Sequence, residues 1–99
     1  MSMFTLPFGS NKLIQLCRQN DVLRLGVFGS VVRGEATDQS DIDLLVEFSK
    51  PKSLLKFVAL ERQMTELLGK KVDLLTQKSL SPYIKPFVDK QKKIIYERR

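Results

Sequence analysis

The chain has 99 residues, 42% of them hydrophobic, and a formal net charge of +6; that is enough for one small domain spanning residues 1–99 with a single modest core. No apolar stretch approaches the length of a membrane span, and the opening Met1-Ser2-Met3-Phe4-Thr5-Leu6-Pro7-Phe8 lacks the basic flank and long apolar run of a signal peptide, which predicts a cytoplasmic protein without membrane contact. A single cysteine, Cys17, and no histidine exclude an internal disulfide, remove the commonest zinc ligands and rule out Ser/His/Asp chemistry.

Ser10 precedes Asn11-Lys12-Leu13-Ile14-Gln15-Leu16-Cys17-Arg18 and reads as the cap of a helix ending near Asn20, with Leu13, Ile14, Leu16 and Cys17 on its apolar side. Cys17 is expected to be packed there rather than reactive. Val22 to Phe28 alternates as a strand, with Leu23, Leu25 and Val27 on one face. Gly29-Ser30 breaks it, a short helix starts after Ser30, and residues 33–40 form a polar loop with Gly34 as its turn residue.

Asp41-Ile42-Asp43-Leu44-Leu45-Val46-Glu47-Phe48 is the second strand; Ile42, Leu44, Val46 and Phe48 share one face, and Asp41, Asp43 and Glu47 point the other way. Pro51 stops it. Ser53 caps a helix in which Phe57, Leu60, Met64 and Leu67 recur at helical spacing until Gly69 supplies a stop. The third strand, Lys71-Val72-Asp73-Leu74-Leu75-Thr76, puts Val72 and Leu74 on the core face and Asp73 opposite. A short helix over residues 83–88 and a last strand at Lys93-Ile94-Ile95-Tyr96-Glu97 complete the set. The fold class is therefore α/β (α+β), a mixed sheet of about four strands with helices packed on one face and the carboxylates on the other. Leu45 and Leu75 fall on the carboxylate face by strict alternation, so that face is expected to be partly apolar and covered by a helix, a substrate or a partner. Tyr83 and Tyr96 are expected to be half-buried rings with solvated hydroxyls.

Residues 85–99 hold six basic and two acidic side chains, so +4 of the net charge sits there. No aromatic-interleaved basic stripe accompanies it, and nucleic-acid binding is not the favoured reading.

Carboxylates at i and i+2 on a strand project from one face about 6–7 Å apart. That separation suits a pair of magnesium ions, which take a few carboxylates and complete their shells with substrate phosphates. An isolated Asp-x-Asp is weak evidence, since acidic pairs at strand ends commonly only solvate a turn. Two further features raise its weight. Gly29-Ser30 offers a glycine without Cβ, free backbone N–H groups and a hydroxyl to phosphate oxygens. Asp73 adds a third carboxylate from another strand, and clustering three like charges is unfavourable unless a divalent cation neutralises them. The expected reaction is in-line attack of an acceptor hydroxyl on the α-phosphorus of a nucleoside triphosphate, with pyrophosphate leaving.

Gly29-Ser30-Val31-Val32-Arg33-Gly34 followed by Ser40-Asp41-Ile42-Asp43-Leu44-Leu45-Val46 resembles the signature of the polymerase-β-type nucleotidyltransferases, and most closely their small stand-alone minimal members. The third aspartate of that pattern is supplied by Lys71-Val72-Asp73-Leu74-Leu75, and the resemblance covers residues 22–97. It implies that Asp41 and Asp43 hold two Mg2+ ions, that Asp73 binds the catalytic ion and helps deprotonate the acceptor, and that Gly29 and Ser30 hold the triphosphate of ATP. Val31 stands where such proteins often carry a basic residue; Arg33 is the remaining candidate for a phosphate contact, with an ion pair to Glu35 or Asp38 as its alternative. The resemblance further implies an adenylyltransferase acting as antitoxin, its acceptor a tyrosine on a separate HEPN-domain ribonuclease toxin. Two other readings compete: a catalytically silent module that neutralises its partner by contact, and a transferase acting on a small molecule.

Overall fold

The computed structural model describes residues 10–35, 37 and 39–98. Among these residues, four helices and four strands follow in the order α1 (Asn11–Gln19), β1 (Val22–Phe28), α2 (Ser30–Arg33), β2 (Ile42–Phe48), α3 (Leu54–Leu68), β3 (Val72–Leu75), a 3₁₀ turn (Gln77–Ser79), α4 (Lys85–Gln91) and β4 (Lys93–Glu97). The strands form one sheet in the order β3-β2-β1-β4. β2 and β3 are parallel, joined by α3, while β1 runs antiparallel to both β2 and β4.

Local chemistry sets most of the boundaries. The Ser10 and Ser53 hydroxyls accept the backbone N–H groups of Leu13 and Lys56, each at 3.2 Å, satisfying donors that the first helical turn leaves open. Gly69, at φ 73°, ends α3 in the left-handed conformation that glycine adopts without penalty. The final helix begins at Lys85 rather than Tyr83, with Pro86 in its first turn, where a missing N–H does no harm.

Leu13 and Cys17 of α1, Leu60, Met64 and Leu68 of α3, and Ile42, Leu44, Val46, Val72 and Leu74 of the sheet make one buried cluster. Cys17 is fully buried, which pushes its thiol up to about 12 and leaves it a small apolar side chain. In β1 the buried residue is Val22, with Leu25 and Val27, and Leu23 is only half-buried. Leu23 is an extra residue between the pairs Val22↔Phe48 and Arg24↔Glu47. That bulge breaks the strict alternation that places Leu23 inward.

The outer edge of β3 is closed by α3. The N–H of Val72 donates to Thr65 Oγ1 at 3.0 Å and that of Leu74 to Glu61 Oε2 at 2.8 Å. Side chains four apart on the helix thus match N–H groups two apart on the strand and deny the edge to another chain. Glu61→Ala should lower stability by about 1–3 kcal/mol, the cost of orphaning a partly buried donor. Thermal and denaturant melts of the two proteins measure it.

The opposite face of the sheet carries a second, smaller cluster of Phe28, Leu45, Leu80 and Val88, with Leu75 packed against it. The apolar positions on the carboxylate face are therefore covered from within the chain, by the segment that connects β3 to β4. Tyr96 is buried, its hydroxyl without a partner among the described residues, whereas Tyr83 is 86% exposed; neither is the half-buried ring with a solvated hydroxyl expected.

Candidate active site

Strand order brings Asp43 beside Asp73, with the charge of Asp41 near enough for Asp43 to feel it. β2 and β3 are neighbours and parallel, and their register sets Asp43 directly beside Asp73, on strands that lie about 4.8 Å apart. Asp41 precedes Asp43 by two residues at the mouth of β2. Gly29 arrives from the other side, since Phe28, the last residue of β1, pairs with Asp43.

At Gly29 the chain must be glycine for two reasons. Its backbone lies at φ 78°, ψ −147°, close to a region that only glycine occupies readily. A Cβ added there would collide with the Asp43 carboxylate. Ser30 then opens α2, whose first N–H groups have no partner within the helix. The turn is locked by Arg33 N–H to Gly29 O at 3.1 Å and Glu35 N–H to Ser30 O at 2.9 Å, with Gly34 left-handed at its end.

Asp43 is half-buried and held above the usual carboxylate range, first by burial, then by the neighbouring charges of Asp73 and Asp41; Arg33 opposes the shift. All four side chains therefore belong to one electrostatic neighbourhood. Arg33 is engaged elsewhere at short range, its Nε 2.8 Å from Glu35 Oε1, with both side chains well exposed. Asp38, the other partner foreseen for Arg33, lies outside the described residues.

Lys71 was not singled out by the sequence, yet its Nζ lies 4.0 Å from Asp41 Oδ2. The signal was the Lys70-Lys71 pair immediately before the strand that carries Asp73. Lys70 meanwhile donates to Thr37 O at 3.0 Å and ties down the loop before Asp41.

Among the described residues no three acidic, cysteine or histidine side chains are placed so that they could hold a metal ion by themselves. The donors gathered here are carboxylate oxygens on one open sheet face. That set fits a hard cation such as magnesium, which keeps part of its shell for phosphate and water, and does not fit zinc. Volume does not mark the place: a hollow of 610 Å³ lined by Leu23, Phe48, Pro51, Phe57 and Lys78 contains none of the three aspartates. It lies at the far end of β2, and the carboxylate cluster, where charge, strained glycine and open backbone donors coincide, is the better candidate for chemistry.

Known proteins are similar to this chain in sequence and fold. Residues 10–99 match the family model described as nucleotidyltransferase domain. A relative from Methanocaldococcus jannaschii is 46% identical over 74 residues, covering 75% of this chain and 80% of its own length. The protein adenylyltransferase MntA of Thermococcus cleftensis is 54% identical over 59 residues, 60% of each chain. A structure solved as a minimal nucleotidyltransferase superposes with a TM-score of 0.78 at 35% identity, covering 94% of this chain and 95% of that one. A tri-AMPylated HEPN toxin of Shewanella oneidensis in complex with MNT antitoxin has a chain that superposes with a TM-score of 0.66 at 26% identity, covering 89% and 69%.

Proposed function

Because this chain belongs to the nucleotidyltransferase domain family, we propose that it transfers AMP from ATP to a hydroxyl group of a partner protein, a tyrosine of a HEPN-domain toxin, and so acts as that toxin's antitoxin. The observation that carries the reading is the pairing of Asp43 with Asp73 in register, with Gly29 pressed against Asp43. The adenylyltransferase relative and the AMPylated toxin complex support the donor and the acceptor.

Asp41 and Asp43 are the residues that would hold two magnesium ions, and Asp73 would share the one on the acceptor side. When bound, the ions supply charge neutralisation for the attacking hydroxyl and the departing phosphates. The remaining steps fall to the chain. The backbone N–H groups after Gly29, together with the Ser30 hydroxyl, hold the triphosphate, and the absent Cβ lets phosphate oxygens approach. Asp73 accepts the proton of the acceptor hydroxyl as its oxygen attacks the α-phosphorus. The bond to the bridging oxygen breaks, and pyrophosphate departs. Arg33 gives up Glu35 for the phosphates, and Lys71 stands beside Asp41 as a further cation.

The test is incubation with the partner protein, magnesium and labelled ATP. Label should pass to the partner and be lost with Asp41→Ala plus Asp43→Ala. Equal labelling by that double variant sinks the metal mechanism. Neutralisation of the toxin that survives removal of all three carboxylates would instead make the chain a contact inhibitor.

A further inference from the structure

The segment joining β3 to β4 crosses the sheet on the carboxylate side. Its Leu80 and Val88 pack on Phe28 and Leu45, with Leu75 against them. Leu45 and Leu75 lie two residues beyond Asp43 and Asp73 on the same faces of β2 and β3, a step of roughly 7 Å. The crossing segment is thus the wall beside the three aspartates.

The outer side of that wall is apolar. Tyr83 is 86% exposed, Ile84 48% and Phe87 67%. The Ser81 carbonyl accepts the N–H groups of Ile84 and Lys85 at 3.1 and 3.0 Å, so residues 82–84 form a turn that leads directly into α4. Tyr83 and Ile84 then stand four and three residues before Phe87 and form one ridge with it. Val88 alone of this turn is spent on the core. Large apolar side chains left together in water mark interaction sites, and aromatic anchors are typical of their centres. Lys85 and Lys90 share α4 with Phe87, and Lys93 opens β4 just beyond it. Lys92 is paired with Asp89 at 3.2 Å, but among the described residues Lys85, Lys90 and Lys93 enter no ion pair.

We propose that the Tyr83-Ile84-Phe87 ridge is the platform on which the acceptor protein docks, presenting its hydroxyl to Asp41, Asp43 and Asp73. The inference rests on the proposed transfer to a protein. The occupant that fits is a partner segment with apolar anchors for Ile84 and Phe87 and acidic side chains against Lys85, Lys90 and Lys93. Those charges would also steer the encounter. A second apolar surface exists at the start of α3, where Leu54 is 76% and Leu55 84% exposed. Distance argues against it as the platform: β2 runs from Asp43 to Phe48 before α3 begins, about 17 Å at 3.3 Å per residue. A hydroxyl anchored there must reach back along the whole strand, whereas the segment that carries the ridge packs on Leu45 and Leu75, two residues from Asp43 and Asp73.

The experiment uses the full chain, Mg2+, labelled ATP and a HEPN-domain protein as the candidate acceptor. Ile84→Ser plus Phe87→Ser should bind MgATP as the parent does, by calorimetry, while its KM for the acceptor protein rises at least about tenfold, as expected for losing two anchors of an interface. Lys85→Glu plus Lys90→Glu should also raise that KM and flatten its dependence on salt. Leu54→Ser plus Leu55→Ser should leave it unchanged. Parental acceptor KM in both the ridge and the lysine variants, or a loss confined to the Leu54 and Leu55 variant, overturns the platform while leaving the transfer intact. If the parent binds MgATP and does not label the acceptor, the proposed function fails and the platform falls with it. Should the ridge variant lose MgATP affinity through disturbed folding, the lysine variant decides.

Discussion

Asp43→Asn should lower AMP transfer by at least about 100-fold and at the same time raise the melting temperature of the metal-free protein at neutral pH. The first effect follows from position. Asp43 sits between Asp73, its register partner, and Gly29, which is packed against its carboxylate. Changing groups that only support a metal ligand costs about 10–100-fold, and an amide cannot replace the charge of a ligand itself. The second effect follows from electrostatics. Burial, then Asp73 and Asp41, hold the Asp43 carboxyl above its ordinary 3.8. The folded chain therefore keeps this proton more tightly than the unfolded chain does. Stability from this group is greatest below the unfolded value, declines as pH rises through the folded value, and stays reduced at neutral pH. Asparagine carries no charge and escapes that penalty. Magnesium should raise the melting temperature of the parent and have less effect on the variant, because a ligand that binds only the folded state stabilises it. Thermal melts with and without Mg2+ across acid and neutral pH check both halves. A variant that melts lower than the parent in metal-free neutral buffer would show that the carboxylate is not under electrostatic strain.

Gly29→Ala should damage stability and nucleotide binding together. Backbone conformations this close to the glycine-only region cost other residues about 1–3 kcal/mol, and Gly29 sits at φ 78° and ψ −147°. The new methyl group must also displace the Asp43 carboxylate. The strain appears as a lower denaturation midpoint, and the displaced carboxylate appears as weakened MgATP affinity measured on the surviving folded protein. Gly34→Ala separates the two effects. Gly34 is also left-handed, at φ 75°, but no described residue lies within 4 Å of a Cβ there, so Gly34→Ala should cost stability while leaving MgATP affinity near the parent's. Equal affinity in the Gly29→Ala and parent proteins would mean that Asp43 can move without consequence for the nucleotide.

Features whose causes are local were legible before any folding. Ser10, Ser53 and Gly69 mark helix ends through hydrogen bonds and a left-handed turn within a few residues. The alternation of Ile42, Leu44 and Val46 with Asp41, Asp43 and Glu47 separates a core face from a carboxylate face, because side chains of a strand alternate wherever it lies. The residue types at Gly29, Asp41, Asp43 and Asp73 were legible in the same way, as a chemical pattern.

Pairing and packing across the chain belonged to the tertiary structure alone. Nothing in the segment around Asp73 says that β3 lies parallel to β2 with Asp73 beside Asp43; strand order decides it. The bulge that turns Val22 inward in place of Leu23 is set by pairing with β2, and simple periodicity misplaces it. The ion pair that holds Arg33, the approach of Lys71 to Asp41 and the use of Glu61 to close the edge of β3 depend on where neighbouring side chains end up. The three aspartates on one face could be read from alternation. What covers Leu45 and Leu75 beside them could not, because a sheet face records its own apolar positions and not the segment, here Leu80 and Val88, that crosses back to bury them.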